Sequence, residues 1–268
     1  MLKDVTIGQF FPGKSAVHRL DPRVKLVLVL AMIVALFMAD GVISYAIMIG
    51  FLLAVIRISK IPLKMVVKGL KPILFILSFT AILNLFYTPG DYIWQWGFLH
   101  ISKQGIFVAI KMVLRIMLLI IGTSMLTYTT SPIQLTDGLE RLLSPLKRFH
   151  APVHELSMMM SIALRFIPTL IEETEKIISA QKARGADFES GNIIERAKAM
   201  VPILVPLFIS AFRRADELEI AMECRLYRGD VGRTRMKQLK VTGLDYAAIT
   251  ISAVFFISAA VLGQGFHL

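Results

Sequence analysis

The chain has 268 residues, carries a net charge of +11 and is 56% hydrophobic, whereas an average soluble domain is about 45–50% apolar. The apolar residues are concentrated in long runs, which indicates an integral membrane protein and excludes an ordinary soluble domain. The basic residues flank these runs, so the preference of cytoplasmic loops for lysine and arginine explains the charge better than nucleic-acid binding does. The single cysteine excludes an internal disulfide.

Five apolar segments approach the about 17–25 residues with which a helix crosses a bilayer. They predict an all-α, polytopic membrane protein with about five transmembrane helices, at residues 24–39, 42–58, 73–87, 106–128 and 244–262. Basic residues precede the first segment and fill residues 57–71, but they are absent from residues 88–102. This distribution predicts a cytoplasmic N-terminus and a C-terminus outside the cell.

Residues 129–243 differ from the rest because they hold 14 of the 19 acidic residues. They predict a cytoplasmic three-helix domain between the fourth and fifth spans. The chain is therefore divided into residues 1–128, 129–243 and 244–268. Ser131 and Pro132 are an N-cap followed by a proline at the first helical position, and they begin the first of these helices.

The other two helices of this domain are long, at residues 153–183 and 193–224. Apolar residues recur at helical spacing in their first halves, and charged residues dominate their second halves. We interpret them as amphipathic helices under the membrane. The alternative is that residues 156–171 and 199–212 are two further spans, although Arg165 and the prolines interrupt both.

Both long helices end in an arginine-centred tripeptide. These tripeptides are Ala183-Arg184-Gly185 and Cys224-Arg225-Leu226. An arginine near a helix C-terminus complements the macrodipole, and its planar fork can also bind a carboxylate bidentately. Its repetition on adjacent helices indicates contacts with two similar partners. Gly185 suits a left-handed cap, whereas leucine adopts that conformation at a cost, so the cap of the second helix stays open, with Gly229 as one candidate.

The start of the first long helix is rich in soft apolar side chains. They are Met158, Met159, Met160, Leu164 and Ile167. Such residues fill cores, and they also form surfaces that accept several partners.

No catalytic or metal-binding pattern stands out. The chain has no phosphate-binding Gly-x-x-x-x-Gly-Lys-Ser/Thr loop, so we expect it to hydrolyse no nucleotide itself. Pro152 lies between His150 and His154, which places the two histidines off a regular helical face and argues against a metal site. Lys111 and Arg115 lie within the fourth span, where a charged side chain either has a function or extends along the helix to the membrane surface. They are the main support for an alternative, a secondary transporter that carries its own substrate.

Several segments together resemble the transmembrane T component of energy-coupling factor (ECF) transporters, of the EcfT or CbiQ type. They are residues 10–25 (FFPGKSAVHRLDPRVK), 129–132 (TTSP), 164–168 (LRFIP), 181–188 (QKARGADF), 213–218 (RRADEL) and 221–223 (AME). The resemblance covers nearly the whole chain.

The resemblance implies a non-catalytic subunit of an ABC-type importer in a prokaryotic plasma membrane. Two ATPase subunits, expected to be a heterodimer, hold ATP and Mg²⁺, and one or several S components bind a vitamin or metal ion. The T component itself binds no cofactor and couples the ATPases to the S component. In this family two Ala-Arg-Gly motifs contact the ATPases, which implies the same role for the two arginine tripeptides of this chain. The second tripeptide keeps only the arginine of the motif. The methionine-rich surface at residues 158–167 is expected to face the S component.

Overall fold

The computed structural model describes residues 10–96, 99–149, 152–188, 192–229 and 239–265. The all-α class is confirmed, because a short antiparallel hairpin of β1 and β2 is the only sheet within these residues. The helices and strands follow in the order α1 Ala16–Arg19, α2 Pro22–Met38, α3 Val42–Ser59, α4 Leu63–Leu70, α5 Leu74–Tyr87, β1 Tyr92–Trp96, β2 Leu99–Ser102, α6 Lys103–Thr129, α7 Pro132–Leu143, α8 Val153–Ala183, α9 Ile193–Cys224 and α10 Gly243–Gly265.

The chain divides into two compact units. One contains the described residues up to 139 together with those from 239 onward, and the other contains those from 140 to 229. Four helical stretches of the first unit are long and apolar enough to cross a membrane. They are Val42–Ser59, Leu63–Tyr87, Lys103–Thr129 and Gly243–Leu262. The 17 residues of α2 place it at the lower end of the spanning range of about 17–25.

The third span is longer than the sequence predicts. The predicted second and third spans, at residues 42–58 and 73–87, leave a basic stretch between them, but α4 occupies Leu63–Leu70 of this stretch. A single 3₁₀ turn at Lys71–Ile73 then joins α4 to α5, so that the helical stretch has 25 residues. A search for apolar runs misses this helix because lysines interrupt the apolar residues. The lysines lie on the exposed side of the helix, while Val66 is buried.

The core of the first unit brings α10 back against the helices of the N-terminal half. Ser44 of α3 donates a hydrogen bond to the carbonyl oxygen of Ala259 at 2.7 Å, and both residues are fully buried. Close packing and such polar contacts hold helices together where the surrounding lipid removes most of the hydrophobic driving force. The buried residues of this core are Met32, Ala35, Leu36, Tyr45, Met48, Leu52, Leu118, Phe256 and Ala259.

The N-terminal motif at residues 10–25 joins three helices. The Asp21 side chain accepts a hydrogen bond from the backbone N–H of Arg23 at 2.9 Å and so caps α2. The backbone N–H of Asp21 donates to Asp245 at the start of α10, at 2.7 Å. Lys25 donates to the carbonyl oxygen of Thr129 at the end of α6, at 2.9 Å. Because these groups are buried, their hydrogen bonds fix the starts of α2 and α10 against the end of α6.

The two cations within α6 have partners in the turn between α2 and α3. Lys111 forms an ion pair with Asp40. Arg115 donates to the hydroxyl oxygen of Tyr45 at 3.1 Å and to the carbonyl oxygen of Ala39 at 3.4 Å. These contacts give both side chains a structural role at this turn, and they are compatible with extension toward the membrane surface, since the Asp40 side chain is 47% exposed. They account for both charges without a transported substrate.

Helices α7, α8 and α9 agree closely with the sequence. α8 and α9 begin and end at the predicted residues. α7 begins after Ser131, whose hydroxyl oxygen accepts from the Gln134 backbone N–H while the Gln134 side chain accepts from the Ser131 N–H, a capping box. Neither α8 nor α9 is among the four stretches suited to crossing a membrane, so the structure gives no support to two further spans at residues 156–171 and 199–212.

Candidate functional site

The first arginine tripeptide forms the end of α8. Arg184 occupies the C-cap position, and Gly185 follows with a left-handed φ of 88°. The backbone N–H of Gly185 donates to the carbonyl oxygen of Lys182, and that of Ala186 donates to the carbonyl oxygen of Gln181, both at 3.0 Å. This pair of hydrogen bonds is a Schellman motif. The predicted capping role of Gly185 is confirmed.

The second tripeptide ends α9 in the same way, although it lacks the glycine. Leu226 adopts a left-handed φ of 55°. Its N–H donates to the carbonyl oxygen of Glu223 at 2.8 Å, and the N–H of Tyr227 donates to that of Met222 at 3.1 Å. The cap of this helix is therefore Leu226 and not the alternative candidate, Gly229. The left-handed conformation costs a non-glycine residue about 1–2 kcal/mol, and Leu226, 75% exposed, recovers little of it by burial.

The two arginines thus occupy equivalent positions. Each follows the last helical residue and precedes a left-handed residue, at the end where the macrodipole favours a cation. All six residues of the two tripeptides are exposed. Across the described parts of the chain, neither Arg184 nor Arg225 forms a side-chain hydrogen bond or an ion pair. Both guanidinium groups are free to bind a carboxylate outside this chain.

The long helices run antiparallel. The contacts that define their alignment join Gln181 to Pro202 (3.4 Å), Glu173 to Arg214 (2.8 Å) and Met158 to Tyr227 (3.1 Å). Arg184 follows Glu173 by eleven residues on α8, and Arg225 follows Arg214 by eleven residues on α9. At 1.5 Å of rise per residue, the two terminal arginines are separated by roughly 33 Å along the pair, with the ion pair midway between them.

The central contact is electrostatically stabilised. The carboxylate of Glu173 accepts a hydrogen bond from the Ser210 hydroxyl group, and Arg214 donates to its other oxygen at 2.8 Å. The hydrogen bond from Ser210, followed by that from Arg214, holds the pKa of Glu173 below its usual value. The carboxylate is therefore ionised at neutral pH and ties α8 to α9 at the middle of the pair.

A second buried polar contact joins α7 to α8. The carboxylate of Glu140 accepts from the Ser157 hydroxyl group at 2.6 Å and lies 3.1 Å from Nδ1 of His154. His150 lies outside the described residues. Over the described ranges, no group of three or more histidine, cysteine or acidic side chains converges into a possible metal site. His154 acts in this structure as a packing residue.

The methionine-rich start of α8 is only partly available to a partner. Met159 and Met160 are exposed, at 56% and 46%. Met158, Leu164 and Ile167 are half-buried, and the sulfur of Met158 accepts a hydrogen bond from the Tyr227 hydroxyl group. Met159 and Met160 are thus the parts of the predicted surface that a partner can reach most easily.

A larger apolar surface lies on α9, and sequence analysis did not assign it to a site. The side chains of Phe208 and Phe212 are 63% and 67% exposed and stack with their ring centroids 6.5 Å apart. Spacings of three and four residues reveal such a helix face in a sequence. We call it the α9 apolar face, and it consists of Val201, Leu204, Val205, Phe208 and Phe212.

The fold and the site define a polytopic membrane protein in which an antiparallel helix pair presents two equivalent arginines and an exposed apolar face. The family model described as CbiQ, cobalt transport protein, matches residues 13–237, so the chain belongs to this family. It is also similar to proteins named energy-coupling factor transporter transmembrane protein EcfT.

Three of these relatives show the extent of the similarity. The protein from Ruminiclostridium cellulolyticum is 57% identical, with 95% of this chain and 96% of the relative covered. The protein from Clostridium kluyveri is 53% identical, with 98% of each chain covered. The protein from Bacillus subtilis is 48% identical, with 97% of this chain and all of the relative covered.

Proposed function

We propose that the chain is the transmembrane coupling subunit of an ECF-type ABC importer. In this role it transmits the movement of two ATPase subunits to an S component that binds a vitamin or another micronutrient. One observation carries the proposal above the others. Two exposed arginines occupy the same helix-end position at opposite ends of one antiparallel pair. This arrangement suits two similar partners that approach each other when they bind ATP.

Docking to the ATPases involves Arg184 and Arg225. Each guanidinium enters a surface groove of one ATPase and pairs with a carboxylate there. ATP and Mg²⁺ are held by those subunits, while the chain itself is non-catalytic and binds no cofactor. A heterodimer of ATPases fits the difference between the two ends, since one arginine precedes a glycine and the other precedes an exposed leucine.

Contact with the S component involves the exposed apolar surfaces of the same helices. Met159 and Met160 contribute from α8, and the α9 apolar face contributes its aromatic and branched side chains. Unbranched methionine adapts to different partner shapes. This chemistry suits one or several S components that share a single coupling subunit.

The membrane orientation follows from the basic residues. Exposed cations of residues 57–71 lie on the cytoplasmic side, as does the N-terminus, and the C-terminus lies outside the cell. The unit from residue 140 to 229 then faces the ATPases in the cytoplasm. The location is the plasma membrane of a prokaryote, and the boundaries 1–128, 129–243 and 244–268 remain our domain assignment.

Alanine substitution of the two arginines tests the docking role. Loss of a hydrogen-bonded charge pair at an interface costs roughly 2–5 kcal/mol, so Arg184→Ala and Arg225→Ala should each weaken ATPase co-purification by about 30-fold or more. Lys176→Ala is the matched control, because it removes an exposed cation from the middle of α8. Normal co-purification and vitamin uptake by the double variant, at normal expression, would refute the assigned role.

The native Cys224 provides a second test without an engineered probe. It is the single cysteine of the chain, it is exposed, and it immediately precedes Arg225. A membrane-impermeant maleimide should label it from the cytoplasmic side, and bound ATPase subunits should protect it. Labelling from the outside would contradict the orientation, whereas unprotected labelling in the assembled complex would contradict docking at this helix end.

Reconstitution separates coupling from carrier activity. Proteoliposomes that contain only this chain should take up no substrate, and uptake should require the ATPases, an S component and ATP. Concentrative uptake by the chain alone would instead favour a secondary transporter.

A further inference from the structure

The third membrane stretch begins with cations and continues with aromatic side chains. Lys64, Lys68 and Lys71 are spaced by four and three residues and share one side of α4 and its following turn, while Phe75 and Phe79 follow one and two turns later. All five side chains are exposed, Phe75 by 80% and Phe79 by 56%. We call these five residues the basic–apolar segment.

The opposite side of α4 is fixed against the protein. Val66 is buried in a cluster with Ile61, Met125 and Tyr128. Close approach is possible here because Gly69 has no side chain, and a Cβ at this position would lie 2.7 Å from the hydroxyl oxygen of Tyr128. These contacts fix the rotation of α4 about its axis, and the side chains of Lys64, Lys68 and Lys71 lie on its exposed side.

The positive charge of this region is not neutralised within the chain. The sequence has no acidic residue between Asp40 and Asp91. Arg57 and Lys60 add to the three lysines and are also exposed. Within the ranges that the structure describes, none of these five bases has a side-chain hydrogen bond or an ion pair. The region therefore presents five uncompensated cations to its surroundings.

The spacing matches the two ends of a phospholipid. Lys71 and Phe79 are eight residues apart, which corresponds to roughly 12 Å along a helix. A cation at the membrane surface attracts an anionic headgroup, and an exposed aromatic side chain at that distance contacts acyl chains. A polar or acidic protein partner would fit the lysines but not Phe75 and Phe79.

We propose that the basic–apolar segment selectively binds an anionic phospholipid of the cytoplasmic leaflet. The lysines contact the headgroup phosphate, and the two phenylalanines contact the acyl chains. The leaflet assignment rests on the orientation given under the proposed function, whereas the binding itself depends only on the contacts of the segment. Net charge and cytoplasmic loop statistics explain an orientation but not a preference among lipids, so this is a separate property.

Lipid retention in nanodiscs tests the proposal. The full chain is reconstituted with equimolar phosphatidylglycerol and phosphatidylcholine, extracted in mild detergent, and analysed for bound lipid by native mass spectrometry. The chain should retain phosphatidylglycerol in preference, and Lys64→Gln/Lys68→Gln should lower the preference roughly 30-fold. The matched control, Lys176→Gln/Lys198→Gln, removes two exposed cations of α8 and α9 and should leave it unchanged.

Three results would overturn the proposal. They are an equal retention of both lipids by the unchanged chain, an unaltered preference in Lys64→Gln/Lys68→Gln, and a loss of S component binding in that variant with unaltered lipid retention. The last result would identify a protein-docking surface instead. Co-purification of the ATPases with the same variant should stay normal, so a failure of the lipid proposal is distinguishable from a failure of the docking proposal. Thermal unfolding of each variant shows whether it is folded.

Discussion

The left-handed leucine at the end of α9 leads to a quantitative prediction. Leu226→Gly removes a conformational cost of about 1–2 kcal/mol. It also increases the freedom of the unfolded chain, which offsets about 0.4–1 kcal/mol of this gain. Because Leu226 is largely exposed, little packing is lost. The last turn of α9 should be stabilised by roughly 0.5–1 kcal/mol, which slows local opening about two- to fivefold.

The reciprocal change at the end of α8 is the matched control. Gly185→Leu introduces the same backbone cost, and no neighbouring atom lies within 4 Å of a Cβ built there, so steric clash does not contribute. Local opening should accelerate by about the same factor. Hydrogen exchange of peptides that contain the amides of Gly185, Ala186, Leu226 and Tyr227 measures both effects. Unchanged or faster exchange at Leu226→Gly would show that the leucine side chain, and not the backbone hydrogen bonds, holds this turn.

Three further predictions concern the helix pair. Exchange of the two arginine tripeptides should exchange the positions of two different ATPases, as judged by cross-linking, and unchanged positions would show that selection lies elsewhere. Glu173→Gln should lower the melting temperature at pH 7. Because the pKa of Glu173 is lowered in the folded chain, its ionised carboxylate stabilises the fold fully above about pH 4.5, and this stabilisation is lost as the pH falls through the lowered pKa. Acidification should therefore destabilise the unchanged chain more than it destabilises Glu173→Gln. The double variant Phe208→Ser/Phe212→Ser should weaken S component binding without affecting ATPase co-purification. The control is Ile194→Ser, because Ile194 is exposed at the start of α9. Equal binding by all variants would exclude the α9 apolar face as the surface that binds the S component.

Helices α7, α8 and α9 were predictable because local interactions define where they begin and end. The end of α8 follows from Gly185, whose left-handed conformation needs no tertiary support. The start of α7 follows from the Ser131–Gln134 capping box. Apolar residues that recur every three or four positions inside α8 and α9 predicted the remaining turns of these helices. Such features depend on neighbours in the sequence, and a single sequence contains them.

The residue at which α9 ends was predicted, but its left-handed cap at Leu226 was not. Local propensity opposes a left-handed leucine. Tyr227, the next residue, is tied to α8 through the hydrogen bond from its hydroxyl group to the sulfur of Met158. This contact accompanies the turn of the chain at Leu226 and spans 69 residues of sequence. The ion pair between Lys111 and Asp40 was not predictable either, because it joins α6 to the turn between α2 and α3 across 71 residues of sequence.

The direction of the helix pair could have been inferred but was not. Residues 184–192 connect α8 to α9, and a connection this short favours antiparallel neighbours. The consequence is substantial for the site, because an antiparallel pair puts the charged second half of each helix against the apolar first half of the other. A parallel pair, in which the two charged ends lie side by side, is incompatible with the contact between Glu173 and Arg214.

The ion pair of Glu173 with Arg214 lies midway between the two terminal arginines, and this position bears on how the proposed subunit transmits movement. Each terminal arginine lies eleven residues beyond its member of the central ion pair. On the proposed function, two ATPases that bind Arg184 and Arg225 and approach each other would push the two helices past one another along their length. The ion pair of Glu173 with Arg214 opposes this sliding, because it ties α8 to α9 at the middle. The α9 apolar face extends from Val201 to Phe212 and ends beside this middle. On the proposed function, the tied pair would then move as one body against an S component bound there, so the ion pair would serve transmission rather than docking.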